Sequence, residues 1–218
     1  MDRVKIKQLA KQQIKGKVLT LFALSLLVGL VSGLCSLVPV AGAVASFLIT
    51  SALVLSWSFI YLNVIRKNKA PIVEDLLYGF KNGNFLRAIV GAIYYGLFVF
   101  LWSLLFWIPG IIKSIAYSQM FFLMTDNPKM EAGEAQKKSM EMMNGHKMDY
   151  FILQLSFFPW FLLTIVTFGL AAIYVGPYMQ ASYAAFYDAL LAKKSPLKAA
   201  MNARKEAKAS AKKVKSAK

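Results

Sequence analysis

The sequence has few of the residues that build catalytic, metal and disulfide sites. It contains 1 cysteine, 1 histidine and 10 acidic residues among 218 positions. A single cysteine cannot form an intramolecular disulfide, and Cys35 lies inside an apolar run, where we expect it to pack as a small hydrophobic side chain. The sequence has no CxxC or HExxH motif, no phosphate-binding glycine loop and no paired carboxylates within an apolar run. We therefore expect no metal site, no cofactor and no enzymatic activity.

Charge is also scarce, and it is mostly of one sign. Charged residues make up 17% of the chain and hydrophobic residues 58%, whereas a soluble domain has about 25% charged residues. The 26 basic residues outnumber the 10 acidic ones, which gives a net charge of +16. Basic residues must therefore lie in blocks between long apolar stretches. This pattern excludes an ordinary soluble enzyme, a disordered chain and a plain nucleic-acid-binding domain, and it favours a small polytopic membrane protein.

Six apolar runs are candidates for membrane-spanning helices, which need about 20 mostly apolar residues. The runs cover residues 18–38, 41–65, 88–112, 111–125, 150–167 and 170–187. Chain-breaking residues divide them into three hairpins, with Pro39 and Gly42, Pro109 and Gly110, and Gly169 at the expected turns. The predicted fold is all-α, with about six transmembrane helices.

The fourth run is the shortest and leaves two alternatives open. Its 15 residues, Ile111 to Thr125, extend roughly 22 Å as a helix, less than the core of about 30 Å. It either crosses a thinned region of the bilayer or forms a re-entrant half-helix after Pro109 and Gly110.

The basic start of the chain and the small residues Ala41, Ala43 and Ala45 resemble a signal peptide with its cleavage site. The first apolar run is longer than a signal-peptide core and turns directly into the second. We therefore expect this segment to be retained as a span.

The charged segments predict the orientation. Net charge is +5 over residues 1–17, +3 over 66–87, −1 over 126–149 and +9 over 193–218, and these segments hold 25 of the 26 basic residues. With six crossings all four segments lie on one side, which the positive-inside rule assigns to the cytoplasm. We therefore predict a membrane domain over residues 1–192 and a flexible basic tail over 193–218, with both termini cytoplasmic.

An internal repeat is suggested by three glycines, each preceded by a short helix-like segment. These are Gly16, Gly83 and Gly145, and the predicted hairpin turns follow them after 23, 26 and 24 residues. The spacing predicts three copies of one unit: a cytoplasmic interfacial helix, a glycine in the left-handed conformation that caps it, and two spans. The alternative is that any protein built of helical hairpins shows such glycines and short helices, without an internal repeat. Each unit starts inside, so the repeats are parallel, and the inverted repeats common in transporters are absent.

Polar residues within apolar runs are the candidates for function. Lys113 is expected near the outer interface, where it either anchors the chain or contributes to a pore or headgroup site. Gln119, Gln154 and Gln180 either bond helix to helix or line a path for a small polar solute. Asp188 is expected to be solvated at the cytoplasmic end of the last span. His146, in the acidic third segment, is expected to be an interfacial polar residue near a partner-binding region.

The tail offers a basic surface next to the membrane. Its candidate lipid contacts are Lys193, Lys194, Lys198, Arg204, Lys205, Lys208, Lys212 and Lys213. Basic residues close to a bilayer attract anionic headgroups. Nucleic acid is the rival partner, but no aromatic residue lies among the lysines to stack on bases, so we expect lipid.

Several blocks of the chain match a known pattern over about residues 5–190. They are Ile108-Pro109-Gly110-Ile111-Ile112-Lys113, which is the most specific, then Asp126-Asn127-Pro128, Gly145-His146-Lys147, Leu155-Ser156-Phe157, Pro177-Tyr178 and Ala185-Phe186-Tyr187. Together they resemble an uncharacterised bacterial integral-membrane family, domain of unknown function 975. The resemblance implies a bacterial multi-span membrane protein and brings no assigned activity. The lysine tail is outside it.

Two functions remain as expectations. The first is a non-enzymatic protein of the bacterial cytoplasmic membrane, which acts through contact with lipids or with other membrane proteins. The alternative is a small-solute transporter or channel, which requires Lys113, Gln119, Gln154 and Gln180 to line a common path. An enzyme acting on lipid is disfavoured, because no catalytic group reaches membrane depth.

Overall fold

The computed structural model describes residues 3–35, 39–81, 83–105 and 107–193, and within these ranges every regular element is a helix. The helices are α1 (Arg3–Ile14), α2 (Val18–Cys35), α3 (Pro39–Lys67), α4 (Val73–Leu76), a 3₁₀ turn (Leu77–Phe80), α5 (Asn84–Leu105), α6 (Trp107–Tyr117), α7 (Met120–Asp126), α8 (Ala132–Met143), α9 (Lys147–Leu155), α10 (Phe158–Val166) and α11 (172–193). The prediction of an all-α fold is confirmed.

Three helical segments are long and apolar enough to cross a membrane: Gly42–Lys67, Asn84–Leu104 and Lys147–Val166. A fourth is added if α1 and the adjoining part of α2, which meet at a bend of 84°, count as one broken span. The chain therefore has the length and composition of a membrane protein with three or four spans among its described residues.

Two of the predicted spans are interrupted. Helices α6 and α7 are separated at Ser118 and Gln119, and α9 and α10 at Ser156 and Phe157. The first break is bridged by Ser139 of α8, whose hydroxyl accepts a hydrogen bond from the Gln119 backbone N–H at 3.2 Å and donates to the carbonyl of Ala116 at 2.7 Å. A helix can break in an apolar setting only where its freed backbone groups find such partners.

The second hairpin turns earlier than the sequence predicts. Helix α5 ends at Leu105 and α6 begins at Trp107, so Pro109 and Gly110 lie within the first turns of α6. Proline is tolerated there because its missing N–H would have no partner in the helix. Gly110 is buried, and a Cβ atom on it would lie 2.2 Å from Ser103 Oγ of α5. The glycine therefore allows close helix packing and does not form the turn.

The left-handed conformation predicted at the three repeat glycines is confirmed. Gly16, Gly83 and Gly145 have φ angles of 79°, 72° and 78°. In each case the backbone N–H of the residue after the glycine donates a hydrogen bond to the carbonyl of the residue two positions before the glycine, at 2.9, 3.0 and 3.0 Å. Only glycine adopts this conformation without strain, so these positions redirect the chain into α2, α5 and α9.

Helices α1 and α8 pack into the core along one face each. Ile6, Ala10 and Ile14 of α1 are buried, as are Ala135, Ser139 and Met143 of α8. In both helices the buried positions lie 10, 6 and 2 residues before the glycine that follows. Helices α1 and α8 are therefore integral parts of the fold.

Candidate ligand cavity and charged cluster

A partly open cavity of about 760 Å³ lies among the long helices. Side chains of α2, α3, α5, α6, α7, α9 and α11 line it, so all three predicted hairpins contribute to its wall. Much of the wall is aromatic and includes Phe22, Trp57 and Phe121. The volume falls within the range of about 300–1,000 Å³ that is typical of small-molecule sites.

Four serine hydroxyls on the wall are bonded to backbone carbonyls three or four residues earlier in the chain. The bonds run from Ser25 to Phe22 at 2.7 Å, from Ser58 to Val54 at 3.0 Å, from Ser114 to Ile111 at 2.8 Å and from Ser118 to Ile115 at 2.8 Å. Each hydroxyl has donated its hydrogen and keeps lone pairs that can accept a bond. The wall therefore presents acceptors that a ligand hydroxyl can reach.

Two of the candidate polar residues meet in this cavity. Gln154 of α9 and Gln180 of α11 both line it, and both side chains are exposed. Each amide has two donor hydrogens and a carbonyl acceptor. They are the most versatile hydrogen-bonding groups on the wall.

Gln119 does not line the cavity. It is fully buried, and its side-chain amide donates to Ser118 Oγ at 2.8 Å, so it lies behind a hydroxyl that does line the wall. Its amide oxygen has no hydrogen-bond partner. Of the two roles predicted for it, this position favours helix-to-helix packing.

Lys113 and His146 lie apart from the glutamines. The Lys113 ammonium is 4.3 Å from the ring centroid of Trp102, a cation–π contact between α6 and α5. The Nδ1 atom of His146 is 3.1 Å from a carboxylate oxygen of Asp149 at the start of α9. Neither residue lines the cavity. The structure does not bring Lys113, Gln119, Gln154 and Gln180 onto one continuous surface.

The basic tail lies almost wholly outside the described residues. Lys193, at the end of α11, is exposed. The other candidate lipid contacts, from Lys194 to Lys213, lie beyond the part of the chain that the structure describes. Within that part, no group of three or more His, Cys, Asp or Glu side chains is arranged to hold a metal ion.

A charged cluster joins the C-terminal ends of α3, α7 and α11. Arg66 forms a two-pronged ion pair with Asp126, with N–O distances of 2.6 and 2.8 Å. Its Nε atom donates to Asp188 at 2.7 Å, and the Tyr187 hydroxyl donates to Asp126 at 2.9 Å. The three charged side chains are 35%, 22% and 23% exposed. The expectation that Asp188 is merely solvated is wrong, because Arg66 pairs with it.

Sequence reasoning missed this cluster, although one signal pointed to it. Asp126 lies 43 residues after Gly83, and Asp188 lies 43 residues after Gly145. Two carboxylates at one position of the predicted repeat indicate a shared environment, and Arg66 lies one residue before the end of α3, the second long helix of the first predicted unit. That comparison would have placed all three at one end of the bundle.

Aromatic side chains connect the cavity to the charged cluster. Phe122 lines the cavity and stacks on Tyr187, with ring centroids 5.3 Å apart. The hydroxyl of Tyr187 reaches Asp126, and its ring centre is 5.7 Å from the Arg66 guanidinium. The cavity wall at Phe122 is therefore backed by side chains that the charged cluster holds in place.

Helix α1 docks on the break between α9 and α10. The Lys7 ammonium donates to Ser156 Oγ at 2.9 Å and lies 4.3 Å from the centroid of the Phe157 ring. Phe157 in turn packs edge-on against Tyr178 of α11. The first helix of the chain is thereby fastened to the last hairpin.

Comparisons with known proteins give one family. A family model described as "Protein of unknown function (DUF975)" matches residues 1–114 and 104–194. No curated protein and no solved structure matches the chain. The family match covers all of the described residues and stops before most of the basic tail. The chain belongs to the DUF975 family, whose function is unknown.

Proposed function

We propose that this chain is a non-enzymatic, multi-pass protein of the bacterial cytoplasmic membrane that acts through contact with lipids. The observation that carries the proposal is the outward apolar surface of its long helices. In the apolar 18-residue stretch of each segment, only 11% is buried within the chain for Asn84–Leu104 and 17% for Lys147–Val166. Phe100 and Leu104 of α5 are 61% and 66% exposed. Contiguous apolar surface of this extent is unfavourable in water and favourable in lipid.

The proposal includes six crossings arranged as three hairpins, with both termini in the cytoplasm. The pairs are α2 with α3, α5 with the broken helix α6–α7, and the broken helix α9–α10 with α11. The basic residues in the segments before and after these pairs support the orientation. The interruptions at Ser118 and Ser156 are compatible with crossing, because neighbouring side chains bond to backbone groups there.

Reporter fusions test this topology. Fusions after Lys69, Lys138 and Lys218 are each expected to report the cytoplasm, because all three sites lie in the charged segments. A fusion after Gly169, in the turn between α10 and α11, is the matched control and is expected to report the exterior. An exterior signal from any of the first three sites contradicts the six-crossing arrangement.

The proposal also includes the threefold repeat, which is supported by the way the short helices dock. The segment before α5 is fastened to α3 through Ser56, whose hydroxyl donates to the Leu76 carbonyl at 2.7 Å. Helix α8 is fastened to α6 and α7 through Ser139. Helix α1 is fastened to the third hairpin through Lys7. Each short helix thus contacts the preceding hairpin, and the first contacts the last, as a closed ring of three units requires.

The basic tail is proposed to bind anionic lipid at the cytoplasmic face. Each Lys or Arg near such a surface contributes about 1 kcal/mol. We expect the purified full-length chain in nanodiscs of mixed phosphatidylcholine and phosphatidylglycerol to enrich phosphatidylglycerol, and a chain cut after Lys194 to lose most of that enrichment. The quantity to measure is the lipid composition after affinity purification.

The matched control for the tail keeps its length and removes its charge. A variant with glutamine at every tail lysine and arginine is expected to behave like the shortened chain. Enrichment that survives both changes contradicts the lipid-binding role of the tail. Binding of duplex DNA by the full-length chain at physiological salt, equal to its binding of lipid, would favour nucleic acid as the partner.

A second candidate function is a pathway for a small uncharged solute. The observation that favours it is the presence of Gln154 and Gln180 on the wall of one cavity. Conduction requires water at both ends of the cavity, whereas binding requires access at one end only. Swelling of proteoliposomes in glycerol or urea distinguishes conduction from binding, since only a conducting cavity accelerates the swelling.

A further inference from the structure

We infer that the partly open cavity of about 760 Å³ binds an uncharged, hydroxyl-bearing lipid of the diacylglycerol type. Its acyl part would lie among the aromatic side chains and its hydroxyl would lie near Gln154 and Gln180. The inference rests on the proposed function in one respect, namely that the helices around the cavity are embedded in lipid. It goes beyond that function by naming a site within the protein and the chemical class of its ligand.

Among the described residues that line the cavity, none is Asp, Glu, Lys, Arg or His. The polar groups that their side chains bring to the wall are hydroxyls, the indole N–H of Trp57 and the amides of Gln154 and Gln180. A phosphate or ammonium group placed there would lose its hydration without gaining an opposite charge, which is strongly unfavourable in an apolar setting. The ligand is therefore neutral.

The polar groups of the wall favour a ligand that both donates and accepts hydrogen bonds. The hydroxyls of Ser25, Ser58 and Ser114 already donate to carbonyls of their own helices and can only accept from a ligand. The glutamine amides can both donate and accept. A ligand with a free hydroxyl and ester carbonyls matches this set, because its hydroxyl donates to the wall and its carbonyls accept from the amides. A purely hydrocarbon ligand would leave these groups unmatched.

The edge of the cavity faces the surrounding lipid. On α2 the wall residues Ser25 and Val28 flank Leu26 and Leu27, which are 52% and 45% exposed. On α6 the exposed Ile112 lies two residues before Ser114, which lines the wall. The cavity edge is thus bordered by outward apolar side chains. A lipid can pass from the bilayer into the cavity without crossing a charged surface.

The charged cluster supports part of the cavity wall. Phe122 lines the cavity and stacks on Tyr187, which bonds to Asp126 within the charged cluster. A solute that left the cavity past Phe122 would have to displace an aromatic stack anchored by Arg66, whereas a lipid entering from the surrounding bilayer leaves this stack in place.

Gly176 allows a direct test, because it lines the cavity and a Cβ atom on it would meet no atom within 4 Å. In Gly176→Leu the new side chain is expected to occupy ligand space without a clash at Cβ. Gly96→Leu is the matched control, since Gly96 lies on α5, has equally open surroundings and does not line the cavity. Gln180→Leu is the second variant, which keeps the volume and removes the hydrogen bonds.

The probe is a diacylglycerol carrying a photoreactive diazirine in one acyl chain, added to phosphatidylcholine nanodiscs that hold the full-length chain. We expect labelled peptides from α2, α9 and α11, and labelling at least tenfold weaker in Gly176→Leu and severalfold weaker in Gln180→Leu. Gly96→Leu is expected to label like the unchanged chain. Unlabelled dioleoylglycerol should compete, and phosphatidylglycerol and free glycerol should not.

The inference is overturned by equal labelling of Gly176→Leu and Gly96→Leu, by labelling confined to the outer faces of the helices, or by competition from phosphatidylglycerol as strong as that from dioleoylglycerol. Competition by free glycerol at least equal to that by dioleoylglycerol would assign the cavity to a soluble solute and overturn it too. These failures leave the membrane proposal intact, because that proposal fails separately if the reporter fusions place Lys69 or Lys138 outside.

Discussion

Replacing Gly79 with alanine is expected to lower the stability of the protein by about 3 kcal/mol, the upper end of the range for overpacking a tight contact. A Cβ atom at this position would lie 2.0 Å from the carbonyl oxygen of Ala52 and 2.8 Å from Ser56 Oγ. The nearest atom belongs to the backbone of α3, so a rotamer change cannot relieve the clash. The 3₁₀ turn that precedes α5 would have to move away from α3.

That movement would also break a buried hydrogen-bond chain. The Gly79 N–H donates to Ser56 Oγ at 2.8 Å, and the same hydroxyl donates to the Leu76 carbonyl at 2.7 Å. Each such bond contributes about 1 kcal/mol, and an unmatched buried group costs more. The thermal unfolding midpoint of the detergent-solubilised protein is the quantity to measure, and roughly 6–12 °C of lowering corresponds to the expected loss.

Gly96→Ala is the matched control for this change. Gly96 lies within α5, and a Cβ atom on it would meet nothing within 4 Å. Alanine is expected to raise helix stability there by up to about 1 kcal/mol, since it restricts the unfolded chain. If the two variants unfold at the same temperature, the close docking of the 3₁₀ turn on α3 is wrong.

The fold was predictable from the sequence where a sequence pattern is compatible with only one local structure. Long apolar runs of about 20 residues indicate helices because a helix satisfies its backbone within a single segment, and Gly16 and Gly145 indicate left-handed caps because they follow amphipathic segments. Gly110 shows the limit of this reasoning. Glycine serves turns and close helix contacts alike, and only the position of Ser103 of α5, opposite Gly110, decides between them.

The candidate site was predictable only in part. A glutamine in an apolar run indicates a buried or cavity-facing amide, and Gln154 and Gln180 do line the cavity. Gln119 carries the same signal, yet its side-chain amide bonds to Ser118 behind the wall, at the break between α6 and α7 where its backbone N–H bonds to Ser139 of α8. The direction in which a side chain points depends on neighbours far away in the sequence.

Replacing Arg66 with methionine is the second change with a large expected effect. It removes the cation that joins Asp126 and Asp188 while keeping most of the aliphatic volume. Breaking a buried ion pair costs about 3–5 kcal/mol and breaking an exposed one less than about 1. With roughly a quarter to a third of these side chains exposed, we expect an intermediate loss of about 2 kcal/mol. The measurement is again the unfolding midpoint in detergent.

The charges themselves can be separated from packing by a compensating variant. In Arg66→Met with Asp126→Asn and Asp188→Asn, no unpaired carboxylate remains, and asparagine at position 126 can still accept from the Tyr187 hydroxyl. This triple variant is expected to regain at least half of the stability lost in Arg66→Met, because the unpaired negative charges are the main penalty. A triple variant as unstable as the single one would mean that Arg66 acts through its packing on Tyr187. The ion pairs would then not be what holds the ends of α3, α7 and α11 together.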